Sequence, residues 1–134
     1  MDNYWPTAAD KPNATKHDKE HSAWYNSVNK FVISKSLKGE NKEKTTFIGD
    51  DILNQVGKLK QQDGKNIVIF GSPSIVRMLM KENFIDEYWL YLNPVILGNG
   101  ISMFAEMIDK IELTLKTLKA FANGVTALHF AIKQ

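Results

Sequence analysis

The stretch that most constrains the fold of this chain runs from Asn66 to Lys81. Ile67-Val68-Ile69-Phe70 is apolar at every position and β-branched at three. A short run of that kind predicts a central strand covered on both faces by helices. Gly71-Ser72-Pro73-Ser74 follows at once, and Ile75, Val76, Leu79 and Met80 then recur at helical spacing. Ser72 suits the N-cap of that helix and Pro73 its first turn, so the reading is strand, tight turn, helix.

The rest of the chain extends the same pattern. Asp2 to Asn13 contains Pro6 and Pro12 and has no hydrophobic period, so an irregular arm is expected. Thr15 is placed to cap a short helix in which His17, His21 and Trp24 share a helical spacing. Lys30 to Ser34 and Thr45 to Gly49 read as strands, separated by a charged stretch from Lys38 to Lys44. Asp50 or Asp51 then caps a helix that gathers Ile52, Leu53, Val56 and Leu59 on one face and ends near Gly64.

Tyr88 to Leu92 is strongly β-prone and closes at Asn93-Pro94, and Val95 to Gly100 continues as an extended segment into a glycine-rich loop. Ile111 to Phe121 and Gly124 to Lys133 read as two strands of a hairpin joined at Asn123-Gly124, both residues that tolerate positive φ. Leu128, Phe130 and Ile132 mark its expected buried face. The fold class is therefore α/β: a mixed, mostly parallel sheet flanked by helices and ending in an antiparallel hairpin. At 134 residues and 43% apolar composition, one domain with a real core is expected.

Composition narrows the function. Seventeen basic and fifteen acidic residues are interspersed for a net charge of +2, which provides no electrostatic footprint for nucleic acid or an anionic membrane. With no cysteine, a disulfide framework, a thiolate zinc site and a cysteine nucleophile are excluded. The opening residues lack the regions of a signal peptide and no apolar run approaches the ~18 residues of a membrane span, so a cytoplasmic location is expected. His17-Asp18-Lys19-Glu20-His21 formally matches a pattern in which two histidines one helical turn apart hold zinc beside a glutamate base, so a zinc-dependent hydrolase through His17, Glu20 and His21 stands as an alternative.

Ligands of open α/β sheets bind beyond the carboxyl ends of strands, where helix N-termini present unpaired N–H groups. Phe70 to Ile75 occupies such a position. Gly71 lets a phosphate approach the main chain without a β-carbon in the way, and Ser72 and Ser74 can donate hydroxyl hydrogen bonds. The same residues also suffice simply to turn the chain and cap a helix, and three spaced glycines are absent. Both readings stay open on local grounds.

The order of features that follow favours the first. Gly71-Ser72-Pro73-Ser74, Leu79, Phe84-Ile85-Asp86-Glu87, Asn93 to Gly100 and Phe104, followed by Gly124 to His129, closely resembles the C-terminal reductase domain of riboflavin biosynthesis, a relative of dihydrofolate reductase. The resemblance runs from about Trp5 to the end and is most specific between Asn66 and Phe104. It implies an NADPH-dependent reduction of a small molecule of the pteridine or ribosylaminopyrimidine type. It further implies that Phe70, Gly71, Ser72, Pro73, Ser74 and Ile75 hold the pyrophosphate, and that Ser34 and Lys35 lie at the adenosine end, with Lys35 or Ser36 meeting a 2′-phosphate. Asn93, Pro94 and Gly98 would lie beside the nicotinamide and the substrate, and a homodimer is expected on the same ground.

Domains of that family open with a strand and a run that forms much of the substrate pocket, and nothing similar precedes Trp5. The resemblance therefore implies apolar edges that another chain, a rearranged sheet or a dimer contact must cover. It names no proton donor. A truncated, non-catalytic domain that binds a nucleotide or only itself is the alternative within the same family.

Overall fold

The computed structural model describes residues 3–37, 39–40, 42–105 and 109–133. They fall into two compact units, Met1–Gln55 and Val56–Gln134.

In the first unit the expected irregular arm is instead a 3-10 helix, Trp5–Asp10. The reason is tertiary. The Pro6 carbonyl accepts from Ser22 Oγ at 3.4 Å and from Asn26 Nδ2 at 3.0 Å, the Trp5 ring lies 3.9 Å from that of His21 and 6.0 Å from that of His17, and Ala8 is completely buried. Contacts with the helix that follows thus fold a segment that has no period of its own.

That helix, α1 (Lys16–Ser27), starts at the predicted cap. Asp18 N donates to Thr15 Oγ1 at 3.1 Å, while Asp18 Oδ2 accepts from Thr15 N at 2.9 Å and from the Thr15 hydroxyl at 2.7 Å. This reciprocal arrangement satisfies two helix-end donors at once. Hydrogen bonds from the Thr15 hydroxyl, then from its backbone, hold the Asp18 carboxyl below its ordinary range. Strands β1 (Lys30–Ile33) and β2 (Thr45–Ile48) form a parallel pair, from Lys30 opposite Thr45 to Ile33 opposite Ile48. Ile48 is the most buried large side chain here, at 2% exposure. Within the charged stretch joining these strands, Lys38 and Asn41 lie outside the described residues.

Helix α2 (Ile52–Lys60) follows as expected and crosses from the first unit into the second. Asp51, one of the two expected caps, has a positive φ of 46°, and its carboxylate accepts from the Asn54 side chain at 2.6 Å. In the second unit the last turn of α2 holds the chain that precedes the sheet. Lys60 Nζ donates to the Phe84 carbonyl at 2.8 Å and to Asp86 Oδ2 at 2.7 Å, and a β-carbon at Gly57 would sit 3.6 Å from the Phe84 ring.

Helix α3 (Pro73–Lys81) buries Val76, Leu79 and Met80. It ends in a reversal at Asn83, where φ is 56° and Phe84 N donates to the Leu79 carbonyl at 2.9 Å. Strands β3 (Glu87–Leu92), β4 (Leu113–Ala120) and β5 (Thr126–Ile132) form an antiparallel sheet in the order β3-β5-β4, with a register shift between Leu115 and Thr117. The predicted hairpin is present. Gly124 alone supplies the positive φ at its turn, and Val125 N donates to the Asn123 side chain at 3.2 Å.

Two expectations fail in this unit. Leu128, Phe130 and Ile132 are only half-buried, and Ala127, on the opposite face, is the deepest residue of β5 at 4% exposure. On the leucine face Tyr88 is buried opposite Phe130, but Leu115 and Leu118 are about half exposed, so that face is covered over only part of its area. The second failure is larger. Asn66 to Phe70 forms no strand, and Ile67, Val68 and Phe70 are 52%, 59% and 51% exposed. A strand persists only when its backbone groups find a ladder, and among the described residues no strand pairs with this segment. The α/β class holds, with a parallel pairing in β1–β2 and antiparallel pairings around β5 among the described residues.

Thr15→Ala is expected to lower stability by about 1 kcal/mol through loss of the cap, read as a lower Tm and reduced helical circular dichroism. Because the native carboxyl of Asp18 is more acidic than the unfolded one, its stabilisation is complete above its unfolded value, about pH 4, and is lost as pH falls through the native value. Asp18→Asn should therefore show a shallower decline of Tm than the wild-type chain between about pH 5 and pH 2.5.

Candidate functional site

The turn that leads into α3 is built for close approach. Gly71 is exposed with φ +60°, and a β-carbon there would meet nothing within 4 Å. Ser72 is the N-cap residue by position, and Val76 N donates to its carbonyl at 2.9 Å. Its side chain, however, makes no capping hydrogen bond, which corrects the expectation that this hydroxyl caps the helix. With φ −121° and ψ 86° at Ser72 and a proline in the first turn, the first-turn amides at Ser74 and Ile75 are left without that partner. Pro73 contributes no N–H but fixes the entry. Phe70 and Ser74 are exposed and Ile75 is half-buried, so Phe70 to Ile75 forms one continuous accessible turn.

The loop after β3 belongs to the same unit. Asn93 Nδ2 donates to the Tyr91 carbonyl at 3.3 Å, and Val95 N to the Asn93 carbonyl at 2.9 Å. Pro94 lies against the hairpin turn so closely that a β-carbon on Gly124 would stand 3.1 Å from its Cγ. Beyond it Val95, Ile96 and Leu97 are 63%, 100% and 81% exposed, and Gly98 has φ +73° in open surroundings. The residues expected at the substrate side thus form an apolar, exposed loop anchored at Pro94.

Ser34 and Lys35 belong to the first unit, at the carboxyl end of β1. Ser34 N continues the β1–β2 ladder by donating to the Ile48 carbonyl at 3.0 Å, and its Oγ is 3.2 Å from Ser36 Oγ, while Lys35 is exposed. One constellation was not visible in the sequence. His129 Nε2 lies 3.0 Å from Glu87 Oε2, and its ring stacks on Trp89 at 4.1 Å and 11°. Trp89 and His129 are cross-strand partners, so only the strand register joins residues so far apart in the chain. Burial pushes the Tyr88 phenol up from its ordinary value, and its hydroxyl has no hydrogen-bond partner among the described residues.

The histidines of the zinc alternative are engaged otherwise. The His17 and His21 rings lie 5.5 Å apart and both contact Trp5, and among the described residues no group of three or more His, Asp or Glu is placed to hold a metal ion.

Comparison with known proteins covers the turn and the loop in one matched region. Residues 5–127 match the RibD C-terminal domain. The chain belongs to that family. Two uncharacterized proteins of Bacillus subtilis (strain 168) are similar to it: YyaP, 32% identical over 113 residues that make up 83% of this chain and 60% of that protein, and YwjB, 37% identical over 100 residues, 75% and 57%. The riboflavin biosynthesis protein RibD of Aquifex aeolicus (strain VF5) is 31% identical over 71 residues, 53% of this chain and 20% of that protein. The chain thus spans less than two thirds of the length of these relatives.

Among solved structures, a Shewanella sp. PV-4 protein assigned provisionally to riboflavin biosynthesis superposes with a TM-score of 0.64 at 16% identity, covering all of this chain and 88% of that one. A pyrimidine reductase-like protein of Corynebacterium diphtheriae NCTC gives 0.57 at 18% identity, over 78% and 50% of the two chains. The shared fold is that of the riboflavin-biosynthesis reductase-like proteins. No described helix is long and apolar enough to cross a membrane.

Gly124→Ala places a side chain at φ +85° against Pro94. It is expected to cost about 1 kcal/mol or more and to raise backbone hydrogen exchange across Asn93 to Gly98, measured by mass spectrometry.

Proposed function

We propose that this RibD C-terminal domain is an NADPH-dependent reductase that works in the cytoplasm on a small molecule of the pteridine or ribosylaminopyrimidine type. The observation that carries the reading is the Ser72 hydroxyl that makes no capping hydrogen bond, beside an unobstructed Gly71. A side chain already bonded to the first-turn amides would have closed that end to an anion. With Ser72 uncommitted to the cap, the start of α3 offers main-chain N–H groups, the positive end of a helix dipole and two hydroxyls to a pyrophosphate.

NADPH, when bound, supplies the hydride. The chain's share is to hold and orient. Gly71 admits the phosphates, Ser72 and Ser74 donate to them, and Phe70, Pro73 and Ile75 shape the turn; the family resemblance assigns the adenosine end to Ser34 and Lys35. Lys35 or Ser36 suits a 2′-phosphate, a cation and a hydroxyl being apt partners for that group. Asn93, Pro94 and Gly98 line the side where the acceptor C=N or C=O bond is held.

The family expectation of a homodimer belongs to the same proposal. Leu92, Leu115 and Leu118 lie on one face of the antiparallel sheet with exposures of 66%, 49% and 60%, an apolar surface suited to a second copy. A non-catalytic nucleotide-binding domain is the competing reading within this family.

NADPH is expected to raise the Tm by several degrees at saturation, because a ligand of the native state stabilises it. Replacing both Ser72 and Ser74 with alanine should weaken NADPH about tenfold or more, and Gly71→Val should abolish binding. No shift at millimolar NADPH would refute the cofactor assignment. Binding without consumption of NADPH in the presence of dihydrofolate or a ribosylaminopyrimidine would favour the non-catalytic domain.

A further inference from the structure

The antiparallel sheet ends in β4 on one side and in β3 on the other, and these two edges are built differently. An open edge invites pairing with another chain, and lysines and bulges are the usual protection against it. Strand β4 carries both, with Lys116 and Lys119 along it and the register shift between Leu115 and Thr117. Strand β3, Glu87-Tyr88-Trp89-Leu90-Tyr91-Leu92, has neither.

The register shows which main-chain groups of β3 are to spare. Ile132 N donates to the carbonyl of Asp86, the residue just before β3, at 3.0 Å. Hydrogen-bonded and non-hydrogen-bonded pairs alternate along an antiparallel ladder. Tyr88, Leu90 and Leu92 therefore turn their N–H and C=O groups toward β5, and Glu87, Trp89 and Tyr91 turn theirs away from it. Among the described residues the partner of these outward groups is the Asn93 side chain, which donates to the Tyr91 carbonyl at 3.3 Å. Trp89, Tyr91 and Leu92 are all more than half exposed, and the chain beyond Leu92 turns toward its own hairpin, with Pro94 against Gly124.

We infer that the β3 edge pairs with the β3 edge of a second copy, antiparallel about a two-fold axis at Trp89. This rests on the homodimer reading above and places the contact on the edge of the sheet, apart from the leucine face. The edge is complementary to itself. About such an axis Trp89 exchanges both main-chain hydrogen bonds with its counterpart, and Glu87 exchanges both with Tyr91 of the partner subunit. The Tyr91 carbonyl then accepts twice, which its two lone pairs allow. Side chains of directly opposite residues stand about 5 Å apart at Cβ, so each Tyr91 phenol can donate to a Glu87 carboxylate across the axis. Oε2 of that carboxylate meets His129 Nε2 at 3.0 Å, and Oε1 has no partner among the described residues. Glu87 is the sole charged residue of β3 and meets a neutral tyrosine, so like charges are not opposed. The contact is isologous and closes on itself, leaving the protected β4 edges at the two ends of the joined sheet.

Sedimentation of the full chain from micromolar to submillimolar concentration, together with amide hydrogen exchange followed by NMR, tests the edge. The chain should sediment as a dimer, and the outward amides of Glu87, Trp89 and Tyr91 should become protected as the dimer forms, whereas those of Tyr88, Leu90 and Leu92 are protected already in the monomer. Tyr91→Pro removes an outward N–H without touching the ladder to β5 and should raise the dimer Kd about tenfold or more, since symmetry removes the bond twice. Trp89→Lys brings like charges together at the axis and should do the same. Circular dichroism verifies the fold of each variant, and the exchange pattern of the wild-type chain decides the matter where a variant fails to fold. A monomer at every concentration overturns the edge and the homodimer reading together. A dimer whose outward amides exchange freely, or one that both folded variants leave intact, overturns the edge alone, and its loss in Leu118→Lys then assigns the contact to the leucine face.

Discussion

The antiparallel ladder through β5 is the constraint on which the second unit depends. A strand in the middle of a sheet has its N–H and C=O groups satisfied on both edges, and β5 achieves this with β3 on one side and β4 on the other. Its register then dictates what else can meet. It sets Trp89 opposite His129, brings the end of β3 to the hairpin turn so that Pro94 rests on Gly124, and places Asp86 where Lys60 of α2 can hold it. The loop from Asn93 to Gly100 continues directly from β3, and Arg77 of α3 donates to the Ser102 carbonyl just beyond that loop.

The same rule explains the segment that departs most from its sequence. Ile67 to Phe70 has the composition of a buried strand, yet it forms no strand and is exposed. Strand propensity reports which surface a pleated segment would present, not whether a neighbour is available. Trp5–Asp10 is the opposite case. Its local signal is weak, yet the Pro6 carbonyl and the Trp5 ring find partners on α1, and those contacts are enough to order it.

The candidate site divides along the same line. Phe70 to Ile75 was legible because a turn and a helix start are encoded within a few adjacent residues, and the order of separated motifs is enough to place the chain in its family. The missing cap hydrogen bond of Ser72 was not legible, since a serine at this position usually caps. The contact of Arg77 carried no signal of its own, because it is made with a carbonyl 25 residues distant. The Glu87–His129 contact spans 42 residues and likewise exists only through the register.

By itself the amino-acid sequence determined what is local or periodic: the capped helix at Thr15, the helices after Asp51 and Ser72, the strands around Phe31, Phe47 and Trp89, the hairpin at Gly124, and membership in the RibD C-terminal domain family. Each follows from interactions among residues close along the chain, or from motif order. Tertiary structure alone decided which apolar segments found a ladder, which face of the sheet was covered, and which polar side chains were left with donors to spare. Those outcomes depend on pairing and burial between distant segments, whose free energy no short window of sequence contains.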